Sequence, residues 1–262
     1  MSYKFIDEKG EHLHTLNGQP LLGASTVLGI VAKQLTWWAA GMAIKEFGWN
    51  NPKDTSPEDR LQNAQIALES VKTLTPDEYL AKLDKAYRAH DSFKNKAATK
   101  GTDLHSELEK FVKHCIDSNE GRPLVNDSYP EQVKKFALWA IENVEKFLWS
   151  EACCYSETLW VGGICDAGAK MIDGHTAVID FKSAKEVYMT HILQCAGYAQ
   201  LISESGILTK NGDKIQEVPT IDALTVFPFG GGQPKTVYAV EDYQRAFVGA
   251  TLLYSLNKTF DK

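Results

Sequence analysis

No stretch of this chain is long and apolar enough to cross a membrane: nowhere in its 262 residues do about 18 apolar side chains follow one another. The opening MSYKFIDEKGEHLH also lacks the apolar centre of a secretory signal. No membrane partner is expected, and the expected compartment is a reducing cytoplasm. Paired cysteines are missing too. The five cysteines, at 115, 153, 154, 165 and 195, form no CxxC, and their odd number argues against a disulfide framework or a zinc ribbon. Buried free thiols are the reading that remains. Positive charge is scarce: 28 Lys and Arg stand against 34 Asp and Glu, a net charge of -6. A passive nucleic-acid-binding protein usually carries the opposite sign. An enzyme with an acidic metal site is not excluded, provided that basic groups gather locally.

What is present suits one large packed domain, or one domain with an elaboration. Residues 3–22 alternate loosely around the turn pairs Lys9-Gly10 and Asn17-Gly18 and read as a hairpin or extended lead-in. From Ser25 to about Phe47 apolar residues recur at helical steps. Helices are expected over about 57–72 and 76–95, with Ser56-Pro57 and Thr75-Pro76 as N-cap and first-turn pairs. A fourth helix is expected to open at Gly101-Thr102 and run to about Cys115, with Thr102 as N-cap. Another spans about 130–148, its stripe including Val133, Phe136, Ala137, Ala140, Val144 and Phe147. The pattern then changes. Residues 153–161, 163–172 and 176–182 read as strands, the last two joined by an Asp173-Gly174 turn. A helix at about 188–204, strands near 221–228 and 235–240 and a closing helix at 241–257 follow. The class is α/β, a mixed sheet flanked by helices, with a mainly helical elaboration over 1–100 and the core over 101–262.

The chemistry concentrates in Gly162-Gly163-Ile164-Cys165-Asp166 and, fourteen residues after Asp166, Asp180-Phe181-Lys182. Residues two apart in a strand share a face, so Asp180 and Lys182 point one way and Ile179 and Phe181 the other. The turn at Asp173-Gly174 folds Asp166 back beside Asp180. Two adjacent carboxylates repel unless a cation sits between them. A hard cation prefers such oxygen ligands, and it can polarise a phosphodiester and acidify a bound water. On its own the Asp180–Lys182 pair also suits a surface salt bridge. The glycine pair favours a site, because glycines in a strand mark a bulge or a close backbone approach. His105 stands at the start of its expected helix, with Glu109 one turn later on the same face. Gln194 and Tyr198, four apart, share a helix face just after the Asp180 strand, either as part of an amphipathic helix or as ligands of phosphate or water.

GTDLH, GGICD, DFK and QCAGY occur in the order and at the spacing of the RecB-like nucleases of the PD-(D/E)xK superfamily, and over about residues 101–200 the chain resembles that family. Similar members are the nuclease domain of RecB, phage exonucleases, CRISPR-associated RecB-like exonucleases and the mitochondrial genome maintenance exonuclease. The resemblance implies a restriction-endonuclease-like core and a DNA exonuclease dependent on Mg²⁺ or Mn²⁺. His105, Asp166, Asp180 and the backbone carbonyl of Phe181 would bind the metal, Lys182 would be catalytic, and Gln194 and Tyr198 would support the site. It further implies phage-type recombination or DNA end processing in a bacterial cytoplasm, with linear DNA as partner and a recombination protein beside it. Glu157, nine residues before Asp166, matches a strand position that is often acidic in the family, and equally suits a solvated strand residue. Some members carry four cysteines around an iron–sulfur cluster. No cysteine follows Cys195 here, so no cluster is expected.

Outside that span, Trp37 and Trp38 are adjacent and cannot share a helix face. One is expected to enter the core; the other either stacks on a base or packs as well. Residues 82–100 hold six Lys and Arg, among them Lys85, Arg88, Lys94 and Lys96, against two Asp, a local charge of +4. They read either as a track for a DNA backbone or as a solvated helix face. Competing activities are a structure-specific or restriction-type endonuclease on the same core, and a non-cleaving DNA-binding module.

Overall fold

Near residue 144 the hydrophobic period shifts from that of a helix to that of a strand, and the architecture turns on that shift. The computed structural model describes residues 2–8, 11–32, 36–49, 56–126, 128–216 and 219–260, with backbone alone at 8, 11, 93–103 and 216. The chain forms two compact units, one of residues 1–32 with 103–262 and one of residues 33–102. The first unit thus takes in the N-terminal hairpin, which the sequence grouped with the helical elaboration.

In the larger unit, β1 (Tyr3–Glu8), β2 (Glu11–Leu16) and β3 (Gln19–Pro20) form a small antiparallel sheet. After β4 (Leu22–Gly23) come a short helix α1 (Ala24–Val27) and a 3-10 turn, Leu28–Val31. The main sheet is built from β5 (Val144–Ser156), β6 (Val161–Met171), β7 (Thr176–Lys182), β8 (Ile207–Leu208), β9 (Lys214–Gln216), β10 (Ala223–Pro228) and β11 (Lys235–Val237). Its order is β11-β10-β7-β6-β5-β8-β9, with β4 added beside β6. β5, β6 and β7 run antiparallel by hairpins, whereas β7 and β10 are parallel. A parallel pair needs a crossover, and α7 (Met189–Ser205) lies in that connection.

The sheet has an apolar layer on each face. On one side Ala177, Ile179 and Phe181 of β7 meet Leu108, Phe111 and Phe136, from α5 (Ala89–Ser118) and α6 (Glu131–Asn143). On the other, Val178 and Val226 meet Leu193, Ala196 and Leu201 of α7 and Phe247 of α8 (Val240–Phe260). All five cysteines are buried without disulfides. The smaller unit holds α2 (Thr36–Lys45), α3 (Pro57–Lys72), α4 (Pro76–Tyr87) and the start of α5. The expected caps are formed: Ser56 Oγ accepts from Asp59 N, and Thr75 closes a capping box with Glu78. No single helix among the described residues is long and apolar enough to cross a membrane.

Three expectations are corrected. The helix placed at 130–148 stops at Asn143, and Val144 and Phe147 reach the same core from β5. Valine and the aromatic run that follows favour extended backbone, and the helical spacing of Val144 and Phe147 was fortuitous. The helix placed at 76–95 ends at Tyr87, and the one placed at Gly101-Thr102 begins at Ala89. One glycine weakens a helix by only about 1 kcal/mol relative to Ala, and the Ala- and Lys-rich stretch before it favours helix. Thr102 is therefore no N-cap, and His105 lies inside a helix rather than in its first turn. The single helix expected over 25–47 is broken into α1, the 3-10 turn and α2.

Candidate active site

The hairpin β6–β7 builds the site. Gly174, at φ 93, makes the turn that a side chain would strain. The register Ala167↔Ile179 and Gly168↔Val178 sets Asp166 across from Asp180. Asp166 Oδ2 accepts a hydrogen bond of 2.6 Å from the Phe181 N–H. Asp180 is 1% exposed, and its Oδ2 lies 2.5 Å from Lys182 Nζ. That oxygen has an ionic partner but no aligned hydrogen-bond donor. Asp166, Asp180 and Lys182, chosen from the sequence, are thus brought together.

Burial raises the pKa of both aspartates, and Lys182 opposes the rise in each. Asp166 adds to the rise at Asp180. Burial alone would lower the Lys182 ammonium, but Asp180 and Asp166 outweigh it and hold its pKa above the ordinary value. Lys182 is therefore a cation at neutral pH, fitted to donate rather than to abstract a proton.

His105 joins the cluster from α5. Its Nδ1 lies 3.7 Å from Asp166 Oδ2, beyond hydrogen-bond reach. Its ring meets Phe181 and Phe229 edge-on, with centroids 5.9 and 5.5 Å away. Burial, then Lys182, lowers its pKa, so the imidazole is neutral, the form that ligates metals. Asp180, then the Phe181 backbone, act in the opposite direction.

Gln194 Nε2 donates to Tyr198 Oη at 2.6 Å on α7. The phenol is buried and its pKa is raised by that burial, then by Asp180 and Asp166, so it stays a neutral hydroxyl near the carboxylates. A Cβ at Gly163 would come within 2.7 Å of Tyr198 Cε1, and one at Gly162 within 2.7 Å of His14 Cβ. The glycine pair therefore permits the close approach of two side chains.

Glu157 lies elsewhere. It is exposed in the turn 157–160 after β5, not on a strand, because Ser156 Oγ accepts from Leu159 N and turns the chain. The acidic residue facing the site from β5 is Glu151. Pairings Ser150↔Ala167 and Ala152↔Cys165 set it across from Asp166. It is half-buried, and its backbone is left-handed at φ 51. Burial, then Asp166 and Glu109, raises its pKa to about 7, against Lys210 and Lys113. Glu109 pairs with Lys113. The signal available in the sequence was cross-strand register, which needs the true start of β5. His191 was also missed. It precedes Gln194 and Tyr198 by three and seven residues on α7, and burial, then Lys182, lowers its pKa to about 4.

The donor set fits a hard divalent cation: two buried carboxylates of raised pKa, a neutral imidazole and the Phe181 main chain. No three His, Cys, Asp or Glu side chains among the described residues already stand at ligand geometry around one point. Lys182 instead neutralises Asp180.

In the smaller unit Trp37 is 91% exposed and Trp38 half-buried. Lys85 pairs with Glu46 at 2.7 Å, Lys82 lies over the Phe47 ring and Arg88 is exposed at the break before α5. The side chains of Lys94 and Lys96 lie outside the described residues. Compared with models of known protein families and with curated protein sequences, the chain matches none.

Proposed function

We propose that this chain is a divalent-metal-dependent DNA exonuclease of the RecB-like PD-(D/E)xK kind, with a restriction-endonuclease-like core. The observation that carries the reading is the meeting of Asp166, Asp180, Lys182 and His105 around the Phe181 peptide group. The order of GTDLH, GGICD, DFK and QCAGY in the sequence agrees with it. Asp166, Asp180, His105 and the Phe181 carbonyl would hold Mg²⁺ or Mn²⁺, which would supply Lewis acidity and an acidified water. Lys182, kept cationic by the two aspartates, donates to a phosphoryl oxygen or orients the attacking water. Gln194 and Tyr198 donate from the α7 side. No iron–sulfur cluster is part of the proposal.

Digestion of end-labelled linear DNA, single- and double-stranded, beside a closed circle tests this. Mononucleotides or short products from linear DNA, with Mg²⁺ or Mn²⁺ and not with EDTA, are expected. Cutting of the closed circle would make the enzyme an endonuclease. Binding without cutting in any metal would make it a non-cleaving module.

A further inference from the structure

The core side of α8 is the side that carries Phe247. Val240, Phe247, Ala250 and Thr251 are buried, and the Phe247 ring lies so close to α7 that a Cβ at Gly197 would come within 2.5 Å of its Cε2. At about 100° per residue, Ala246, Gly249, Leu253, Leu256 and Phe260 fall on the far side of the helix. They are spaced by three and four residues in turn, the repeat of a seam between two helices. All are exposed except for their contacts along the helix, Leu253 at 55%, Leu256 at 56% and Phe260 at 90%. Leu252 widens the stripe. Beside it, Ile30 of the 3-10 turn lines a hollow of about 580 Å³ together with Leu253, Leu256 and Phe260.

No residue from Ala246 to Asn257 is charged, so about three turns of a surface helix lack the polar cover of a solvent face. The cations at either end are engaged along the helix itself: Arg245 with Glu241 and Asp242, and Lys258 over the Tyr254 ring. A DNA backbone or an anionic membrane is drawn by basic groups beside the contact. This face suits an apolar protein surface instead.

Gly249 indicates which one. Glycine weakens a helix interior, and a Cβ at 249 would meet nothing within 4 Å among the described residues. The stripe is thus small at one end, at Ala246 and Gly249, and large at the other, at Leu256 and Phe260. Such a gradient is filled by its own reverse. In an antiparallel pair with Leu253 on a two-fold axis, Phe260 of each copy stands against Ala246 of the other, and Leu256 against Gly249. A parallel pair would set bulk on bulk at one end and leave a gap at the other.

We infer that two copies of this chain associate through antiparallel α8 helices. The two faces together bury on the order of 1,000 Å², the lower bound of a specific interface, which corresponds to association in the micromolar range. The inference stands apart from the nuclease reading.

Sedimentation velocity of the full chain over roughly 1–100 µM tests it. A species of twice the mass of one chain, growing with concentration, is expected. Leu253→Glu sets two carboxylates face to face at the axis and should weaken the dimer about a hundredfold or more. Gly249→Leu has room within its own chain and should leave the circular dichroism unchanged, yet weaken the dimer about tenfold or more. The five native cysteines are buried, so single cysteines report the orientation. Ala246→Cys and Phe260→Cys, oxidised as a mixture, should link to each other and neither to itself. A wild type that stays monomeric throughout, a dimer untouched by both Leu253→Glu and Gly249→Leu, or Ala246→Cys linking chiefly to itself overturns the inference. So does a monomer that binds phosphatidylcholine vesicles and loses them on Leu253→Glu, which would give the face to a lipid surface.

Discussion

Glu151→Gln should stabilise the metal-free protein at neutral and alkaline pH and have no effect in acid. Burial and the nearby Asp166 and Glu109 raise the Glu151 pKa from an ordinary 4.5 to about 7. The folded protein therefore holds that proton more tightly than the unfolded chain. Between about pH 4.5 and 7 the folded state binds more protons, so stability falls as pH rises through that window. The full shift corresponds to roughly 3 kcal/mol at about 1.36 kcal/mol per unit. Glu151 is only half-buried, and screening by solvent reduces this to about 1–2 kcal/mol. Glutamine keeps the shape and removes the charge. Its benefit should be complete above about pH 7, shrink below it and vanish below about pH 4.5. For a chain of this size that is a rise in Tm of roughly 2–8 °C. Thermal melts in EDTA at about pH 8 and pH 4 measure it directly. The same Tm in variant and wild type at the higher pH, or an equal gain at both, would refute the account of Glu151 as a carboxylate held against other carboxylates. Excess Mg²⁺ should shrink the difference, since a cation relieves the same repulsion.

Lys182→Ala should abolish cleavage and also lower stability near neutral pH by roughly 3–5 kcal/mol, because it strands the Asp180 carboxylate at 1% exposure; cleavage assays and denaturant melts report the two effects, and near-normal turnover would remove the lysine from the mechanism. Gly163→Ala should cost about 1–3 kcal/mol and reduce turnover, since the new Cβ displaces the Tyr198 ring that Gln194 holds; a normal melt and rate would mean that the ring has room. Saturating Mg²⁺ at about 100 times its Kd should stabilise the wild type by about 2.7 kcal/mol and Asp180→Asn by much less, read as a thermal shift. Neutralising Lys85, Arg88, Lys94 and Lys96 together should weaken DNA binding and flatten its salt dependence without changing metal affinity; because Lys85 already pairs with Glu46, Lys85 alone should contribute least.

Legibility followed the range of the interaction. Ser56 and Thr75 announced α3 and α4 because a cap is satisfied within three residues. Asp173-Gly174 announced the β6–β7 hairpin for the same reason, and with it the juxtaposition of Asp166 and Asp180. The Gly101-Thr102 signal failed although it is equally local, because a start signal cannot end a helix already propagating from Ala89. The strand position expected for Glu157 is in fact a turn, for a less local reason. That expectation assumed a strand beginning near residue 153, whereas β5 starts at Val144 and ends at Ser156.

The sequence by itself determined the mixed α/β pattern, the hairpin and the identity of the charged triplet Asp166, Asp180 and Lys182. Each follows from a period of two, a tight turn and spacing along one chain. Tertiary structure alone decided that His105 reaches the hairpin, that Glu151 faces Asp166 and that Gly162 and Gly163 face His14 and Tyr198. Those pairings join residues from 15 positions apart, Glu151 and Asp166, to 148 apart, His14 and Gly162. They depend on which helix packs on which face of the sheet and on the register between strands, and neither quantity is a local property of the chain.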